Sequence, residues 1–433
     1  MRSPARRSLP LLALAATSAL ALSACGGGGG GTPGAANDSR GDITIWYSNN
    51  ESEVAWGEQM VEAWNADHPD EQITAQEIPA GKSSEEVIGA AITAGNAPCL
   101  IYNTAPSAVG QFEKQGGLVD LSSFEDGASY IEERSGDTAT QYQNAEGAYF
   151  QMPWKSNPVV IFYNKDLFEQ AGLDAENPAL STYDEFLETS KTLVDAGVAP
   201  NAILPAPTSE FFQTQFDFYP LYAAESGGAQ LVEDGKATFA DDAGYAAADF
   251  WAQLYADGLA GQEQYQGDAF ADGQAAMSIV GPWAISVYGD SVNWGAVPVP
   301  TSAGTAPEET YTFSDAKNIG LYSACDNQAT AWDVLKFSTS EEQDGQLLEM
   351  TGQMPLRQDL PTVYADYFEA NPAYAAFGDQ ASRTVEVPAG PNTVQMLQTL
   401  RDAWSKSVIF GEGDVHAALD DAAAKVDELA AQP

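Results

Sequence analysis

The chain has 433 residues, of which 18 are lysine or arginine and 62 are aspartate or glutamate, and its formal net charge is −44 at pH 7. Such a negative field repels nucleic acid and anionic membrane surfaces, so both are excluded as partners. The length exceeds the size at which one hydrophobic core stops growing, and 44% hydrophobic residues can fill two cores, so two domains are expected.

The first 24 residues are predicted to form a signal peptide. Arg2, Arg6 and Arg7 precede an apolar run at residues 9–22 that is too short to span a bilayer. The run ends in LSAC, which is similar to a bacterial lipobox, so Cys25 is the predicted lipidation site. An ordinary cleavage site followed by an unrelated cysteine is the alternative. The glycine-rich residues 25–40 are a predicted flexible tether, and the N-terminal lipid is the only expected membrane contact.

Strand and helix patterns alternate after the tether. Residues 42–47, 73–78 and 100–102 are predicted strands, and residues 54–67 and 84–93 are predicted helices. This succession predicts a parallel sheet covered by helices. Further strands are predicted at 158–163, 275–280 and 319–322, and further helices at 182–195, with Thr182 or Ser181 as the cap, 245–257, 329–338, 393–406 and 415–431. Two α/β lobes follow from this pattern.

Motifs for catalysis and metal binding are weak. The sequence AGKS at residues 80–83 lacks the glycine that a phosphate loop requires five positions before Gly81. The chain has two histidines, so neither a histidine-based triad nor a zinc site is expected, and no metal or cofactor is predicted. Glycoside hydrolysis by a pair of carboxylates remains an alternative function, because among 62 acidic residues some pair always lies at a workable separation.

Two cysteines remain after Cys25. An even pair, Cys99 and Cys325, favours a disulfide in an exported chain, and two separate buried thiols are the alternative.

Aromatic and amide residues cluster where predicted strands end, the edge at which open α/β sheets bind ligands. Trp283 follows the strand at 275–280, and similar mixtures lie at 46–51, 102–104, 154–157 and 216–219. Sugars present apolar C–H faces and many hydroxyl groups, so their sites combine aromatic walls with polar partners. A single aromatic residue is more typical of a core, whereas several such clusters together favour a sugar site.

Several motifs together resemble the family 1 extracellular solute-binding proteins, the maltodextrin-binding-protein-like components of ABC sugar importers. They are APCLIY at 97–102, QGGL at 115–118, VIFYNKDLF at 160–168, GQAAM at 273–277, GPW at 281–283 and GQMPLR at 352–357. The resemblance covers nearly all of the chain after the tether. It implies a two-lobed periplasmic-binding-protein-like (type II) α/β fold. Lobe 1 would comprise 41–152 and 318–357 and lobe 2 would comprise 153–317 and 358–433, with hinge crossovers near 152–157, 313–318 and 357–362.

The resemblance also implies a ligand site between the lobes. Trp283 falls at the family's sugar-stacking tryptophan, and the other implied ligand residues are Ser48, Asn50, Glu51, Asn103, Asn157, Phe216, Asp217, Asp315 and Lys317. Trp154 and Lys155 are added as candidate ligand residues from the cluster at 154–157. Asn103 stands where maltodextrin binders have an aromatic residue, and Asp315 and Lys317 stand where many relatives have a glycine pair, which indicates a different ligand. A surface ion pair at the hinge is the alternative for Asp315 and Lys317. The resemblance also implies that Cys99 and Cys325 lie at adjacent ends of antiparallel strands, which further favours the disulfide.

The resemblance thus implies a monomeric, non-catalytic binding protein, lipid-anchored at the outer face of the cytoplasmic membrane. It would capture a mono- or oligosaccharide and deliver it to the permease subunits of an ABC importer. A secreted two-carboxylate carbohydrate-active enzyme and a sensor subunit that binds another polar solute are the alternatives. The solute is not identified: the scarcity of basic residues argues against an anionic ligand, although Lys82, Lys155 and Lys317 could serve one.

Overall fold

The computed structural model describes residues 36–48, 51–79, 83–205, 211–289 and 291–432, without the side chain of Glu51. The predicted signal peptide, the predicted lipidation site Cys25, residues 25–35 of the tether, Asn50 and Lys82 lie outside the described residues. In the part that is described, no helix combines the length and the apolar character needed to cross a membrane.

The described residues form thirteen strands and sixteen α-helices. The strands are β1 (Ile43–Tyr47), β2 (Ile73–Glu77), β3 (Leu100–Thr104), β4 (Met152–Lys155), β5 (Val160–Asn164), β6 (Asn201–Ile203), β7 (Val232–Glu233), β8 (Lys236–Ala237), β9 (Ala275–Val280), β10 (Trp294–Val297), β11 (Thr312–Phe313), β12 (Lys317–Leu321) and β13 (Thr384–Val385). The helices are α1 (Glu51–Asp67), α2 (Ser84–Ala94), α3 (Pro106–Lys114), α4 (Gly127–Ser135), α5 (Lys165–Gln170), α6 (Tyr183–Asp195), α7 (Phe218–Ser226), α8 (Asp242–Ala256), α9 (Trp283–Tyr288), α10 (Gln328–Ser338), α11 (Glu341–Thr351), α12 (Leu360–Val363), α13 (Ala365–Ala370), α14 (Pro372–Gln380), α15 (Thr393–Trp404) and α16 (Val415–Ala430).

Two mixed sheets organise these elements. The first has the order β2-β1-β3-β12-β4, in which β1 is parallel to β2 and β3, and β12 is antiparallel to β3 and β4. The second has the order β10-β5-β9-β6, in which β6 and β9 are parallel and the other pairs are antiparallel. The predicted α/β fold class is confirmed. The chain leaves the first sheet after β4 and returns to it at β12, while the exact lobe boundaries stay a prediction.

Each sheet packs its own hydrophobic core against helices. Residues of α1, such as Trp56 and Met60, pack with the first sheet, and residues of α7, α8 and α15 pack with the second. Burial of these apolar side chains stabilises the fold by about 1.5–3 kcal/mol for each large residue. The division of the chain into two domains stays a prediction.

Local signals set several element boundaries. The Thr182 hydroxyl accepts a hydrogen bond from the Glu185 amide at 3.1 Å, and the Glu185 carboxylate accepts the Thr182 amide at 3.2 Å, which is a capping box. The prediction that α6 is capped at Thr182, one of two candidates, is therefore confirmed. The strand predicted at residues 275–280 is confirmed as β9.

Cys99 and Cys325 form a disulfide that joins the chain just before β3 to the chain after β12. The two strands are antiparallel neighbours, and the Tyr322 amide donates to the Cys99 carbonyl at 2.9 Å, so the cysteines lie at adjacent strand ends. The predicted disulfide is confirmed.

Removing this disulfide is expected to lower the free energy of unfolding by about 2–4 kcal/mol, because the bond closes a loop of 226 residues in the unfolded chain. Guanidinium denaturation of the Cys99→Ser/Cys325→Ser variant measures the effect. The wild-type protein in reductant is the control and should denature at the same midpoint as the variant. Equal midpoints for the oxidised wild type and the variant would refute the prediction.

Candidate functional site

A buried polar network lies where the chain passes between the two sheets, and we call it the polar floor. It comprises Glu53 on α1, Lys155 at the end of β4, Asn157 and Gln353. The Lys155 ammonium and the Gln353 amide both donate to Glu53 Oε1 at 2.6 Å, and Asn157 Nδ2 donates to Gln353 Oε1 at 3.2 Å. The four residues are at most 6% exposed. Groups up to 300 positions apart in sequence are therefore held together as one network.

The electrostatics of the polar floor favour an ionised carboxylate. Burial opposes ionisation of Glu53, but the Lys155 ammonium and the hydrogen bonds from Lys155, Gln353 and Ser48 hold the pKa of Glu53 below its ordinary value. Burial lowers the pKa of Lys155, although the Glu53 charge acts in the opposite direction. The two charges thus compensate each other inside the fold.

The segment from β11 to β12 lies against the polar floor. The Asp315 amide donates to the Asn157 carbonyl at 3.1 Å, and Asn157 Nδ2 donates to the Asp315 carbonyl at 3.3 Å. Lys317 Nζ donates to Asp315 Oδ1 at 2.6 Å, and both side chains are about one quarter exposed. Asn157 Oδ1 is buried without a hydrogen-bond partner among the described residues. The segment therefore leaves one buried acceptor unpaired at the floor.

Three aromatic rings, Phe216, Trp283 and Phe313, form what we call the aromatic wall. The Phe216 ring lies edge-on to Trp283 at a centroid distance of 6.4 Å and edge-on to Phe313 at 5.9 Å. The indole of Trp283 folds back over Gly281, where a Cβ atom would lie 1.9 Å from the ring. Glycine at position 281 is thus required for this orientation of the indole.

The polar floor and the aromatic wall meet in one short segment. Phe313 contributes a ring to the wall, and Asp315, two residues later, is hydrogen-bonded to Asn157 of the floor. Phe313 itself is 2% exposed, so the partly open rings of the wall are Phe216, which packs against Phe313, and Trp283 beyond it. Aromatic rings near buried hydrogen-bonding groups are the combination that small polar ligands need.

Two predicted ligand residues lie in the hydrophobic core instead. Trp154 is 1% exposed and packs against Trp56 and Tyr102, with ring centroids 5.3 Å away in each case. Asp217 is fully buried and caps α7, where it accepts hydrogen bonds from the Phe218 amide at 2.6 Å and the indole of a core tryptophan at 3.0 Å. Burial raises the pKa of Asp217 to about 7. The Lys155 ammonium lies over the Trp154 ring, 4.6 Å from its centroid, so Trp154 borders the polar floor from the core side, whereas Asp217 faces Trp404 in the core of the second sheet.

The remaining predicted residues have different positions. Ser48 follows β1, is buried, and bonds to Glu53. Asn103 is half-buried in β3 with a φ of 61°. Asn50 and the side chain of Glu51 lie outside the described residues.

Sequence reasoning missed Glu53 and Gln353 as site residues. Gln353 stands inside the GQMPLR motif, and Glu53 lies two residues after the predicted Glu51, so both were next to recognised signals. Their partnership depends on a contact across 300 positions, which no local pattern reveals. Elsewhere in the described residues, no group of three or more His, Cys, Asp or Glu side chains is arranged to hold a metal ion.

The two-sheet α/β fold, with a polar and aromatic site at the connections, is that of a solute-binding protein. A family model described as bacterial extracellular solute-binding protein matches residues 48–345, and the chain belongs to this family.

Relatives and solved structures agree with this assignment. The galactooligosaccharide-binding protein of Bacillus subtilis is 25% identical, with 95% of this chain and 94% of that protein aligned. The cyclic α-maltosyl-1,6-maltose binding protein of Arthrobacter globiformis has a similar fold, with a TM-score of 0.77, 21% identity and coverage of 90% of this chain and 99% of that one. An ABC transporter solute-binding protein of Thermotoga lettingae, bound to α-D-tagatose, has a TM-score of 0.73, 21% identity and coverage of 90% and 100%. These similarities support the type II fold.

Proposed function

We propose that this protein captures a neutral saccharide between the polar floor and the aromatic wall and delivers it to an ABC importer. The observation that carries the proposal is the junction at residues 313–315, where an aromatic ring and a buried hydrogen-bonding network adjoin. A pyranose can stack its C–H face on Trp283 while its hydroxyls bond to groups such as Asn157 Oδ1. Three of the similar proteins are named for uncharged sugars, namely a galactooligosaccharide, a cyclic maltosyl-maltose and tagatose, whereas a relative from Rhizobium meliloti is named for sn-glycerol 3-phosphate.

The charge balance of the site supports a neutral solute. Each lysine of the site already has a carboxylate partner at 2.6 Å: Lys155 pairs with Glu53, and Lys317 pairs with Asp315. A phosphorylated solute would have to displace these carboxylates from the ammonium groups. The displaced carboxylates would then lose the pairing that now offsets the cost of removing their charge from water. We therefore expect a sugar to bind and sn-glycerol 3-phosphate not to bind.

Capture is proposed to use closure of the two lobes around the solute. Residues from both sheet regions contribute to the site, so a solute that contacts both sides binds the closed arrangement more tightly and shifts the population toward it. We further propose that Cys25 carries a lipid that holds the monomeric protein at the outer face of the cytoplasmic membrane, and that the protein releases the sugar to the permease subunits without chemical change.

The Trp283→Ala variant is expected to bind its sugar about 30-fold more weakly, because a well-packed aromatic contact at the centre of a site contributes about 2 kcal/mol. Titration calorimetry measures the change. The panel consists of three series of sugars, built from glucose, galactose or N-acetylglucosamine and each one to four units long. The anionic probe is sn-glycerol 3-phosphate.

Two further variants distinguish the loss of a sugar contact at Trp283 from the general effect of removing an aromatic ring. Phe410→Ala removes a ring that is 56% exposed and belongs to neither the polar floor nor the aromatic wall, so its affinity should equal that of the wild type. Gly281→Ala keeps the indole but displaces it and should weaken binding as well. The proposal fails if the wild type binds no member of the panel, and chromatography that detects hydrolysed sugar would favour an enzyme instead.

A further inference from the structure

A cavity of about 510 Å³ is lined by the whole predicted hinge crossover at residues 357–362, and we call it the hinge cavity. Residues 135–138, at the end of α4, line a second part of it, and residues 378, 379, 381 and 382, at the end of α14, line a third. Its volume lies within the range of pockets that enclose small organic ligands, about 300–1,000 Å³.

The hinge cavity is bounded by segments that pack on both sheets. Ile131 of α4 packs in the core of the first sheet, whereas Leu360 of α12 and Phe377 of α14 pack with strands of the second sheet. Ser156 lines the cavity, and the next residue, Asn157, belongs to the polar floor. A ligand in the cavity therefore contacts both sheet regions and favours whichever arrangement of the two binds it more tightly.

Arg357 presents unused hydrogen-bond donors to the hinge cavity. Its Nε atom donates to Asp344 Oδ2 at 3.0 Å, and its Nη2 atom donates to the Thr339 carbonyl at 2.9 Å. Its Nη1 atom donates to no described residue, and its side chain, which is 15% exposed, lines the cavity. A guanidinium carries five N–H groups in a rigid plane, so the Nη1 group is left for a ligand.

The ion cluster of Arg134, Asp344 and Arg357 has one excess positive charge. Both arginines pair with the single carboxylate of Asp344, and the three side-chain nitrogen atoms of Arg134 all donate to Asp344 or to backbone carbonyls. The uncompensated charge therefore lies on Arg357, the member that lines the cavity. A planar guanidinium in a partly desolvated position pairs best with a carboxylate, through charge-assisted hydrogen bonds.

Three aspartates of the hinge cavity complement an ammonium group. Asp137, Asp359 and Asp379 line the cavity and are exposed, and no described residue donates a hydrogen bond to their side chains. Asp359 follows Arg357 by two residues and has a φ of 55°, a left-handed conformation that few residues with a side chain adopt. Three negative charges repel a simple anion and attract a cation, so the cavity suits a ligand that carries both charges.

We propose that the hinge cavity binds a small zwitterion of the α-amino acid class and that its occupancy changes the affinity for sugar. The ligand carboxylate bonds to Nη1 of Arg357, and the ligand ammonium lies against the exposed carboxylates, with Asp359 as its main partner. The site itself is independent of the proposed saccharide function, whereas its effect on sugar affinity rests on that function.

Titration calorimetry with L-alanine, L-glutamine and L-phenylalanine tests the site. The wild type should bind at least one of them about 10-fold or more tightly than the matched compounds that lack the ammonium or the carboxylate, which for L-alanine are propionate and ethylamine. Asp359→Asn should weaken this binding about 5-fold or more, because the charge is lost while asparagine tolerates the left-handed backbone. Asp234→Asn is the matched control, since Asp234 is also exposed, has a φ of 49° and lies outside the cavity.

Arg357→Gln should abolish binding of the amino acid. Because Arg357 also pairs with Asp344, thermal denaturation must show that this variant is folded. Asp359→Asn tests the site without altering the ion cluster, so the proposal remains falsifiable if Arg357→Gln does not fold.

Sugar titrations with and without a saturating amino acid distinguish this inference from the proposed function. The amino acid should change the sugar affinity of the wild type by about 3-fold or more, and the sugar should change the affinity for the amino acid by the same factor. Trp283→Ala should bind the amino acid as the wild type does.

Each contrary outcome has a definite meaning. The site is overturned if none of the three amino acids binds, if the matched compounds bind equally well, if Asp359→Asn binds as the wild type does, or if Trp283→Ala loses the amino acid. Unchanged sugar affinity in the presence of bound amino acid overturns the regulatory role. Amino acid binding by a protein that binds no sugar overturns the saccharide function and leaves the site standing.

Discussion

Replacing Asp344 with alanine is expected to lower the free energy of unfolding by about 3–5 kcal/mol, the cost of leaving a buried charge without its partner. Asp344 is fully buried and accepts hydrogen bonds from Arg134 at 2.8 and 3.0 Å and from Arg357 at 3.0 Å. Alanine would leave the guanidinium of Arg134, which is 2% exposed in its side chain, without a counter-charge. Equilibrium denaturation by urea measures the loss.

Asp333→Ala is the matched control. Asp333 also pairs with an arginine, Arg40, at 2.7 Å, but the two side chains are 35% and 48% exposed, so water and salt screen the attraction. Its removal should cost no more than about 1 kcal/mol. Similar losses for the two variants would contradict the assigned role of the buried pair.

Arg134, the buried partner of Asp344, also ties the site to the first sheet. Arg134 donates to the carbonyl groups of Pro153 at 2.7 Å, Trp154 at 2.9 Å and Leu356 at 2.9 Å. These carbonyls flank Lys155 in β4 and lie close to Gln353, so the ion pair fixes the backbone on which the polar floor is built. Loss of Asp344 should therefore weaken sugar binding as well as stability.

Local sequence signals predicted much of the fold. Hydrophobic periodicity located the main strands, and the capping residue located the start of α6, because these patterns express contacts between neighbours in the chain. The Cys99–Cys325 pair was also predictable, since few cysteines were available and the family resemblance aligned their strands. The short helices α12, α13 and α14 were not predicted, because their packing depends on a separate hydrophobic cluster, in which Leu360, Phe368 and Phe377 meet Phe162 of β5, rather than on a strong local pattern.

Candidate site residues were harder to assign. Trp154 and Lys155 are adjacent in β4, and strand alternation predicts opposite faces for their side chains, yet the Lys155 ammonium folds over the Trp154 ring at 4.6 Å from its centroid. Lys155 joins the polar floor, and Trp154 enters the core. Asp217 was indistinguishable from a ligand residue in sequence, because its indole partner, Trp404, stands 187 positions away.

Stability is expected to fall as the pH rises from about 4.5 to about 8, and Glu386→Gln is expected to remove much of this dependence. Glu386 is 2% exposed, and burial raises the pKa of its carboxyl from 4.5 to about 8. The folded protein therefore keeps a proton that the unfolded chain releases above pH 4.5, so unfolding becomes more favourable until the folded group ionises as well. The effect is on the order of a few kcal/mol, because one pKa unit corresponds to about 1.4 kcal/mol.

The neighbours of Glu386 define how this prediction is tested. Glu386 Oε1 accepts the Val387 amide at 2.7 Å, Tyr142 donates to Oε2 at 3.4 Å, and the charges of Lys317 and Asp315 oppose each other there. Urea denaturation at pH 5, 6, 7 and 8 should give a flatter profile for Glu386→Gln than for the wild type, whereas Glu188→Gln, which alters an exposed carboxyl on α6, should follow the wild type.

A residual slope is expected in Glu386→Gln between about pH 4 and 7, because burial also raises the pKa of Asp217 to about 7. Adding Asp217→Asn should flatten this part of the profile. Identical profiles for the wild type and Glu386→Gln would mean that Glu386 ionises in the folded state as it does in the unfolded chain. Because β13 ends at Val385 and pairs with β11, which leads into Asp315, ionisation of Glu386 should also disturb the junction of the polar floor and the aromatic wall and weaken sugar binding above pH 8.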